Sequence, residues 1–185
     1  MATTDVAVLI GSLRRESLTR KIALNLIARG PATLKLEIVE IGALPLYNQD
    51  LEASSPPDWI AFRERMRSVQ AVLFVTPEYN RLVPAALKNA LDVGSRPHAN
   101  SVWRGKPCAI VSVSPGARGG FGANHDLRHS LVYLDMPAMM QPEAYIGGAD
   151  KLFDAEGKLT NAATAEFLGS FMNKFAIWIE RQARI

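Results

Sequence analysis

Three polar loops of this chain contain most of the side chains that could bind a ligand. The first spans residues 11–19 and supplies hydroxyl and guanidinium groups from Ser12, Arg14, Ser17 and Thr19. At a helix start, free N–H groups and the helix dipole favour an anion, hydroxyls donate to its oxygens, and arginine can pair with it bidentately. The loop lacks both the Gly-Lys-Ser/Thr of triphosphate sites and the G-x-G-x-x-G of dinucleotide sites, which favours a mononucleotide phosphate. A capped helix start with exposed arginines explains the same residues equally well.

The second and third loops offer groups that suit a planar heterocycle. The second contains Pro77, Glu78, Tyr79 and Asn80, which combine a flat aromatic ring, a carboxamide and exposed main chain. The third spans residues 114–122 and contains Ser114, Gly116 and further glycines. Its backbone amides carry little side-chain bulk, so a ring could approach them closely. Ordinary turn chemistry is the competing explanation for both loops.

Other residues that could carry chemistry form no recognisable catalytic set. His125 and His129 lie four residues apart on a predicted helix, but no third metal ligand is evident near them. The chain has no local signature of a Cys-His pair or a Ser-His-Asp triad. Its single cysteine, Cys108, lies in an apolar run and is expected to be a core residue. Any reaction is therefore expected to depend on a bound cofactor.

Five apolar stretches predict the strands that must position these loops. They are residues 6–10, 34–41, 72–76, 108–113 and a stretch at 138–146 that Pro142 interrupts. The run at 72–76 is continuously apolar, as a parallel strand covered on both faces should be. The stretch at 34–41 alternates apolar and polar residues, and the stretch at 138–146 contains a proline. Both are therefore expected at sheet edges.

Amphipathic stretches predict five helices between and after these strands. They cover about residues 17–30, 57–70, 85–93, 124–134 and 160–182. The alternation of strands and helices indicates crossover connections, and hence one doubly wound α/β domain over residues 1–185 with a parallel sheet. In the strand order 2-1-3-4-5, the loops after strands one, three and four are neighbours at the carboxyl edge, where ligands bind in open sheets.

The overall composition excludes several classes of protein. An apolar fraction of 48% with 21% charged residues is that of a globular protein. The formal net charge of +3 comes from dispersed Lys and Arg, without the basic block expected of a protein that binds nucleic acid. No stretch approaches the ~20 apolar residues of a membrane span, and the amino terminus lacks a secretory signal, so we expect a cytoplasmic protein.

Several motifs together resemble the NADPH-dependent FMN reductase family, which includes bacterial quinone and chromate reductases. The motifs are Gly11-Ser12-Leu13-Arg14 with Ser17, Leu44-Pro45-Leu46-Tyr47-Asn48, Thr76-Pro77-Glu78-Tyr79-Asn80, Pro84 with Leu87-Lys88-Asn89-Ala90-Leu91-Asp92, Ser95-Arg96 and Gly105-Lys106-Pro107. They span essentially the whole chain. The Thr-Pro-Glu-Tyr-Asn motif, followed in register by Leu-Lys-Asn-Ala-x-Asp, is specific.

The resemblance implies a flavodoxin-like fold that binds FMN without a covalent bond. By motif position, the phosphate would be held by Ser12, Arg14, Ser17 and Thr19. The isoalloxazine ring would be lined by Pro77, Glu78, Tyr79 and Asn80, and its site closed by Ser114 and Gly116. The resemblance also implies NADPH or NADH as electron donor, a quinone as the acceptor to test first, chromate or azo reduction as side activities, and a homodimer or homotetramer.

The chain departs from the family pattern at four positions. Thr19, Leu82, Ala85 and Val93 stand where Asn, Ser, Gly and an aromatic residue are common, which bears on FMN affinity and acceptor choice. Two rival functions share the fold, a non-enzymatic flavodoxin-type electron carrier and a regulatory domain that has lost FMN. The positive net charge and a first loop unlike the Thr-rich loop of such carriers favour the enzyme over the carrier.

Overall fold

The computed structural model describes residues 3–184, in which a five-stranded sheet is flanked by five α-helices. The strands are β1 (Thr4–Ile10), β2 (Leu34–Ile38), β3 (Ala71–Thr76), β4 (Cys108–Val113) and β5 (Ala144–Ile146). The helices are α1 (Leu18–Ala28), α2 (Pro57–Ser68), α3 (Ala85–Gly94), α4 (Phe121–Tyr133) and α5 (Ala162–Gln182). Single turns of 3-10 helix lie at Gln49–Leu51, His98–Asn100 and Ala149–Lys151. No helix within the described residues combines the length and the apolar character that crossing a bilayer requires.

The sheet is parallel throughout, and its strand order is β2-β1-β3-β4-β5. The central strand β3 is buried along its whole length. The edge strands are β2 and β5, and β2 alternates between exposed and half-buried residues. The predicted doubly wound fold, the strand order and both edge positions are therefore confirmed.

The sheet separates two hydrophobic clusters, because successive residues of a strand point to opposite faces. One cluster packs α1 and α5 against the first face, and the other packs α2, α3 and α4 against the second. The apolar stripe predicted for the last helix is confirmed, since α5 buries Leu168, Phe171, Met172, Phe175 and Ile179. Each such side chain contributes about 1.5–3 kcal/mol on burial, so this stripe is the main attachment of α5 to the sheet.

Helix α4 begins three residues earlier than the sequence predicts. It starts at Phe121 rather than near Asn124, so the end of the predicted glycine-rich loop forms its first turn. Gly120 is the N-cap with φ 76°, a conformation that glycine adopts without strain. The carboxylate of Glu78 accepts the N–H of Ala123, a first-turn donor that a local N-cap side chain would otherwise serve. The earlier start of α4 could not be predicted locally, because the residue that caps its first turn, Glu78, is distant in the sequence.

Strands β2 and β5 are shorter than expected. Of the predicted stretch 138–146, only the last three residues form β5, because Pro142 has no N–H to donate to the ladder. Upstream of Pro142, an isolated bridge joins Ala138 to Cys108. Strand β2 ends at Ile38, although the next N–H still donates to a β1 carbonyl at 3.0 Å.

Candidate active site

The loops after β1 and β3 meet at the carboxyl edge of the sheet. The N–H of Gly11 donates to the carbonyl of Val75 at 2.9 Å. A Cβ on Gly11 would lie 2.9 Å from Thr76 Oγ1 and 3.2 Å from Pro77 Cδ, which is too close for a side chain. Gly11 therefore allows the two loops to approach each other. We call the space between these loops and the loop after β4 the crevice.

The first loop leads directly into α1. Ser17 is the N-cap of α1, and its Oγ accepts the N–H of Arg20 at 3.1 Å. Ser12 and Thr19 are buried, whereas Arg14 is exposed. The first N–H groups of α1 have no acceptor inside the helix, as in any α-helix. Ser17 thus fits the capped-helix interpretation, and the same turn also retains the N–H groups and the cation that an anion site needs.

The second loop contains a tight hairpin turn over residues 79–82. Backbone hydrogen bonds of 3.0 Å join Tyr79 and Leu82 in both directions. Asn80 and Arg81 occupy the two central positions with φ of 52° and 73°, as a type I′ turn requires. Tyr79 and Leu82 are 45% and 55% exposed, so apolar surface of both residues is accessible beside the crevice.

Glu78 links the second loop to α4. Its Oε2 accepts the N–H of Ala123 at 3.0 Å, and only 17% of its side chain is exposed. A Cβ on Gly122 would lie 2.9 Å from the same oxygen and 2.7 Å from the carbonyl oxygen of Arg81. Asp126 adds a second link by accepting a loop N–H at 3.2 Å. The structure therefore assigns Glu78 a cap on α4, while its contact with an isoalloxazine ring stays a prediction.

The third loop is packed against the segment that follows β5. The Oγ of Ser114 accepts the N–H of Gly116 at 3.0 Å, and the backbone carbonyl of Ser114 accepts the N–H of Ala149 at 3.1 Å. A Cβ on Gly147 would lie 2.5 Å from the carbonyl oxygen of Ala117, so the two segments are in close contact. Because β4 pairs with β3, this loop lies beside the second loop. All three predicted loops share one edge of the sheet.

Asn89 of α3 holds a fourth loop, and the sequence analysis gave this residue no role. Its Oδ1 accepts the N–H of Tyr47 at 2.8 Å, and its Nδ2 donates to the carbonyls of residues 44–45 at 3.1 Å. This loop borders the first one, since a Cβ on Gly42 would lie 3.1 Å from Leu13. A buried polar group needs hydrogen-bond partners. The carboxamide of Asn89 on the apolar face of a predicted helix could therefore have indicated that this residue binds a neighbouring segment.

The rim of the crevice combines cationic and apolar side chains. Each of the three loops contributes at least one exposed arginine, and these are Arg14, Arg15, Arg81 and Arg118. The exposed apolar residues of the same loops are Leu13, Tyr79, Leu82 and Phe121. Guanidinium groups favour phosphate and apolar surfaces favour a planar ring, so this rim suits a ligand that carries both.

The other candidate groups are engaged within the fold. Cys108 is fully buried, and burial raises the pKa of its thiol, which makes it a poor nucleophile. His125 Nε2 lies 2.9 Å from the hydroxyl of Tyr145. Burial, followed by the neighbouring Glu143, raises the pKa of Tyr145 to about 12. Within residues 3–184, no three His, Cys, Asp or Glu side chains are grouped as a metal site would need.

Comparison with known proteins gives the family. The family model of NADPH-dependent FMN reductases matches residues 4–151. The chain belongs to this family. A quinone reductase from Pseudomonas putida is 62% identical over 177 residues, which cover 95% of both chains. A 2-hydroxy-1,4-benzoquinone reductase from Burkholderia sp. is 43% identical over 174 residues, which cover 94% of this chain and 95% of that protein.

A solved structure supports the same conclusion for the fold. FerB, a flavoenzyme NAD(P)H:(acceptor) oxidoreductase from Paracoccus denitrificans, is 38% identical and superposes with a TM-score of 0.91. The match covers 97% of this FMN reductase and 99% of the FerB chain. The predicted flavodoxin-like fold and the prediction of an FMN- and NAD(P)H-dependent oxidoreductase are confirmed. The individual binding roles, the electron acceptor and the oligomeric state stay predictions.

Proposed function

We propose that this enzyme passes electrons from NADPH or NADH to quinones, with FMN bound in the crevice. The observation that carries the proposal is the convergence of the start of α1 and the loops after β3 and β4 at one edge of the sheet. A quinone acceptor is supported by the two relatives named as quinone or benzoquinone reductases.

The first loop fits the phosphate of FMN. The start of α1 offers free N–H groups and a helix dipole, Arg14 offers an exposed guanidinium, and Ser12 and Thr19 offer hydroxyls. Ser17 can serve the helix and the phosphate together. Its oxygen already accepts the N–H of Arg20, and its O–H remains free to donate.

The second and third loops fit the isoalloxazine ring. Pro77, Tyr79, Asn80, Ser114 and Gly116 would hold the ring, and Glu78 would act by keeping the two loops at a constant separation through α4. Bound FMN supplies the capacity to accept hydride from a reduced nicotinamide and to reduce an acceptor. The residues of this chain then only need to bind and orient the reactants, which agrees with the lack of a recognisable catalytic set in the sequence.

The open rim favours small planar acceptors. Leu82 and Phe121 are 55% and 51% exposed and offer apolar surface against which a quinone ring can pack. Leu82 replaces a residue that is commonly Ser in the family, so it increases the apolar character of this side of the crevice. Chromate and azo compounds, which need no dedicated pocket, are proposed as side activities of the same opening.

We further propose that the enzyme is a cytoplasmic homodimer or homotetramer. The three loops and the neighbouring loop that Asn89 holds expose large apolar side chains, and these are Leu13, Leu46, Tyr79, Leu82 and Phe121. Exposed large apolar side chains on neighbouring loops favour an interaction site there. Light scattering would give two or four times the chain mass of 20.2 kDa, whereas a species of 20.2 kDa would contradict the proposal.

An absorption spectrum of the purified enzyme tests the central proposal. We expect the spectrum of bound flavin, and rapid bleaching by NADPH under anaerobic conditions without any partner protein. Re-oxidation by added benzoquinone should follow. A colourless protein that binds no FMN at saturation would identify the regulatory alternative. Bound flavin that NADPH leaves oxidised would identify the electron carrier.

The variant Arg14→Ala tests the phosphate site. Loss of one charge-assisted contact costs about 1.5–3 kcal/mol, and because Arg14 is exposed we expect the lower end, roughly tenfold weaker FMN binding. Riboflavin lacks the phosphate, so its affinity should hardly change. The neighbouring exposed arginine provides a matched control, because Arg15→Ala removes the same charge. Equal losses of FMN and riboflavin affinity in Arg14→Ala would contradict the assignment.

A further inference from the structure

The second loop holds Arg81 in a conformation that arginine disfavours. Its φ of 73° lies in the left-handed region, where the Cβ of an L-residue meets the following carbonyl oxygen. A type I′ turn favours glycine at this second central position. Asn80, at φ 52°, is of a type that tolerates the region, but Arg81 is not. The turn therefore carries local strain at Arg81.

The fold makes little use of the Arg81 side chain. The side chain is 68% exposed, and its Nη1 lies 3.8 Å from Glu78 Oε1. A loose ion pair with one largely exposed partner contributes little to stability. Glu78 has a closer partner in the N–H of Ala123, at 3.0 Å. Residues that the surrounding structure holds in such strained backbone conformations cluster at functional sites.

Arg81 belongs to the second loop and lies at the rim of the crevice, next to the start of α4. Its carbonyl oxygen is 2.7 Å from the place a Cβ of Gly122 would occupy, so its backbone lies against the first turn of α4. The residues on either side of the turn, Tyr79 and Leu82, are about half exposed. The exposed guanidinium of Arg81 therefore lies beside the opening of the crevice.

We propose that Arg81 makes the enzyme prefer NADPH to NADH by pairing with the 2′-phosphate of NADPH. This inference rests on the proposed function, in which a reduced nicotinamide dinucleotide enters the crevice. The two dinucleotides differ only in that phosphate, and a guanidinium fork pairs with phosphate bidentately. Because the nicotinamide end must reach the ring site, the phosphate at the adenosine end lies toward the rim.

The test measures the reduction of enzyme-bound flavin by each nucleotide in anaerobic stopped flow. For Arg81→Ala we expect the half-saturating NADPH concentration to rise roughly tenfold, as the loss of one charge-assisted contact implies. The value for NADH should stay the same. Arg81→Lys keeps the charge but not the fork, so it should recover part of the preference. Arg104→Ala, which removes an exposed charge elsewhere, controls for net charge.

Arg81→Gly separates the strain from the charge. It should lose the NADPH preference as fully as Arg81→Ala, but it should also unfold about 2 °C higher than the wild type, because glycine adopts positive φ without a steric penalty. Calorimetric titration of the holoenzyme with 2′-phospho-AMP and with AMP gives a readout without turnover. We expect only the 2′-phospho-AMP affinity to fall in the two variants.

Three results would overturn the inference. The first is a half-saturating NADPH concentration that does not change in Arg81→Ala. The second is an equal rise of the half-saturating concentrations of NADPH and NADH in that variant, and the third is an equal rise for NADPH in Arg104→Ala. Each would contradict a specific pairing of Arg81 with the 2′-phosphate. Wild-type flavin that neither nucleotide reduces would refute the proposed function itself. The titration distinguishes these failures, since 2′-phospho-AMP binding that depends on Arg81 does not require turnover.

Discussion

The strongest test of the loop architecture is the replacement of Glu78, for which sequence and structure give different roles. The resemblance to the family places Glu78 against the isoalloxazine ring, where its loss would matter only when FMN is bound. The structure places its carboxylate on the N–H of Ala123 in the first turn of α4, at 3.0 Å. In that case Glu78→Ala should destabilise the protein even without FMN.

The magnitude follows from the burial of the groups involved. Ala123 is fully buried, so the N–H that loses its acceptor in Glu78→Ala has poor access to water, at a cost of about 1–3 kcal/mol. Removing a negative charge from a helix N-terminus adds about 0.3–1 kcal/mol. The sum is roughly 1–4 kcal/mol, which lowers Tm by about 3–16 °C for a chain of this size. Glu78→Gln retains an acceptor and should lose only about 1 kcal/mol.

Urea unfolding of the FMN-free protein and of the FMN-saturated protein distinguishes the two roles. We expect Glu78→Ala to lower the free energy of unfolding by a similar amount in both states. If Glu78 acts only on the ring, the FMN-free variant will match the wild type and only the stabilisation by FMN will shrink. That result would refute the cap. Glu64→Ala, at an exposed position of α2, should stay within about 0.5 kcal/mol of the wild type.

Two further predictions follow from other contacts in the structure. Gly122→Ala places a Cβ 2.7 Å from the carbonyl oxygen of Arg81, so denaturant unfolding should show a loss of about 1–3 kcal/mol. Gly169→Ala is the matched control, because a Cβ there meets nothing within 4 Å and should add up to about 1 kcal/mol through helix propensity. The pKa of Tyr145 is raised to about 12 by burial and by Glu143, so ultraviolet difference titration against Tyr145→Phe should show a phenol that ionises near that pH. Since the folded protein holds this proton more tightly than the unfolded chain, stability from Tyr145 is present below about pH 10 and is lost as the pH rises toward 12, and a steeper loss in Tyr145→Phe would contradict the assignment.

The sequence alone determined the elements and their order, because these depend on local patterns. The unbroken apolar run of β3 predicted a strand covered on both faces, and the alternation in β2 predicted an edge. Ser17 predicted the start of α1, and it does cap that helix. Once five strands and crossover helices were expected, the position of the polar loops after three of them was enough to favour the strand order that brings those loops together.

The tertiary structure decided which side chains hold the loops, because those partners are distant in the chain. Nothing near α4 in the sequence indicates that its first turn is served by Glu78, 45 residues away from Ala123. Asn89 belongs to a recognised motif, but its partners in the loop at residues 44–47 could not be predicted from that motif. The loop lies alongside α3 because α2 and α3 pack on the same face of the sheet. The positive φ of Arg81 likewise could not be predicted from the residue type, since arginine disfavours it, and the turn is seen only in the hydrogen bonds between Tyr79 and Leu82 and in the packing of the loop on α4.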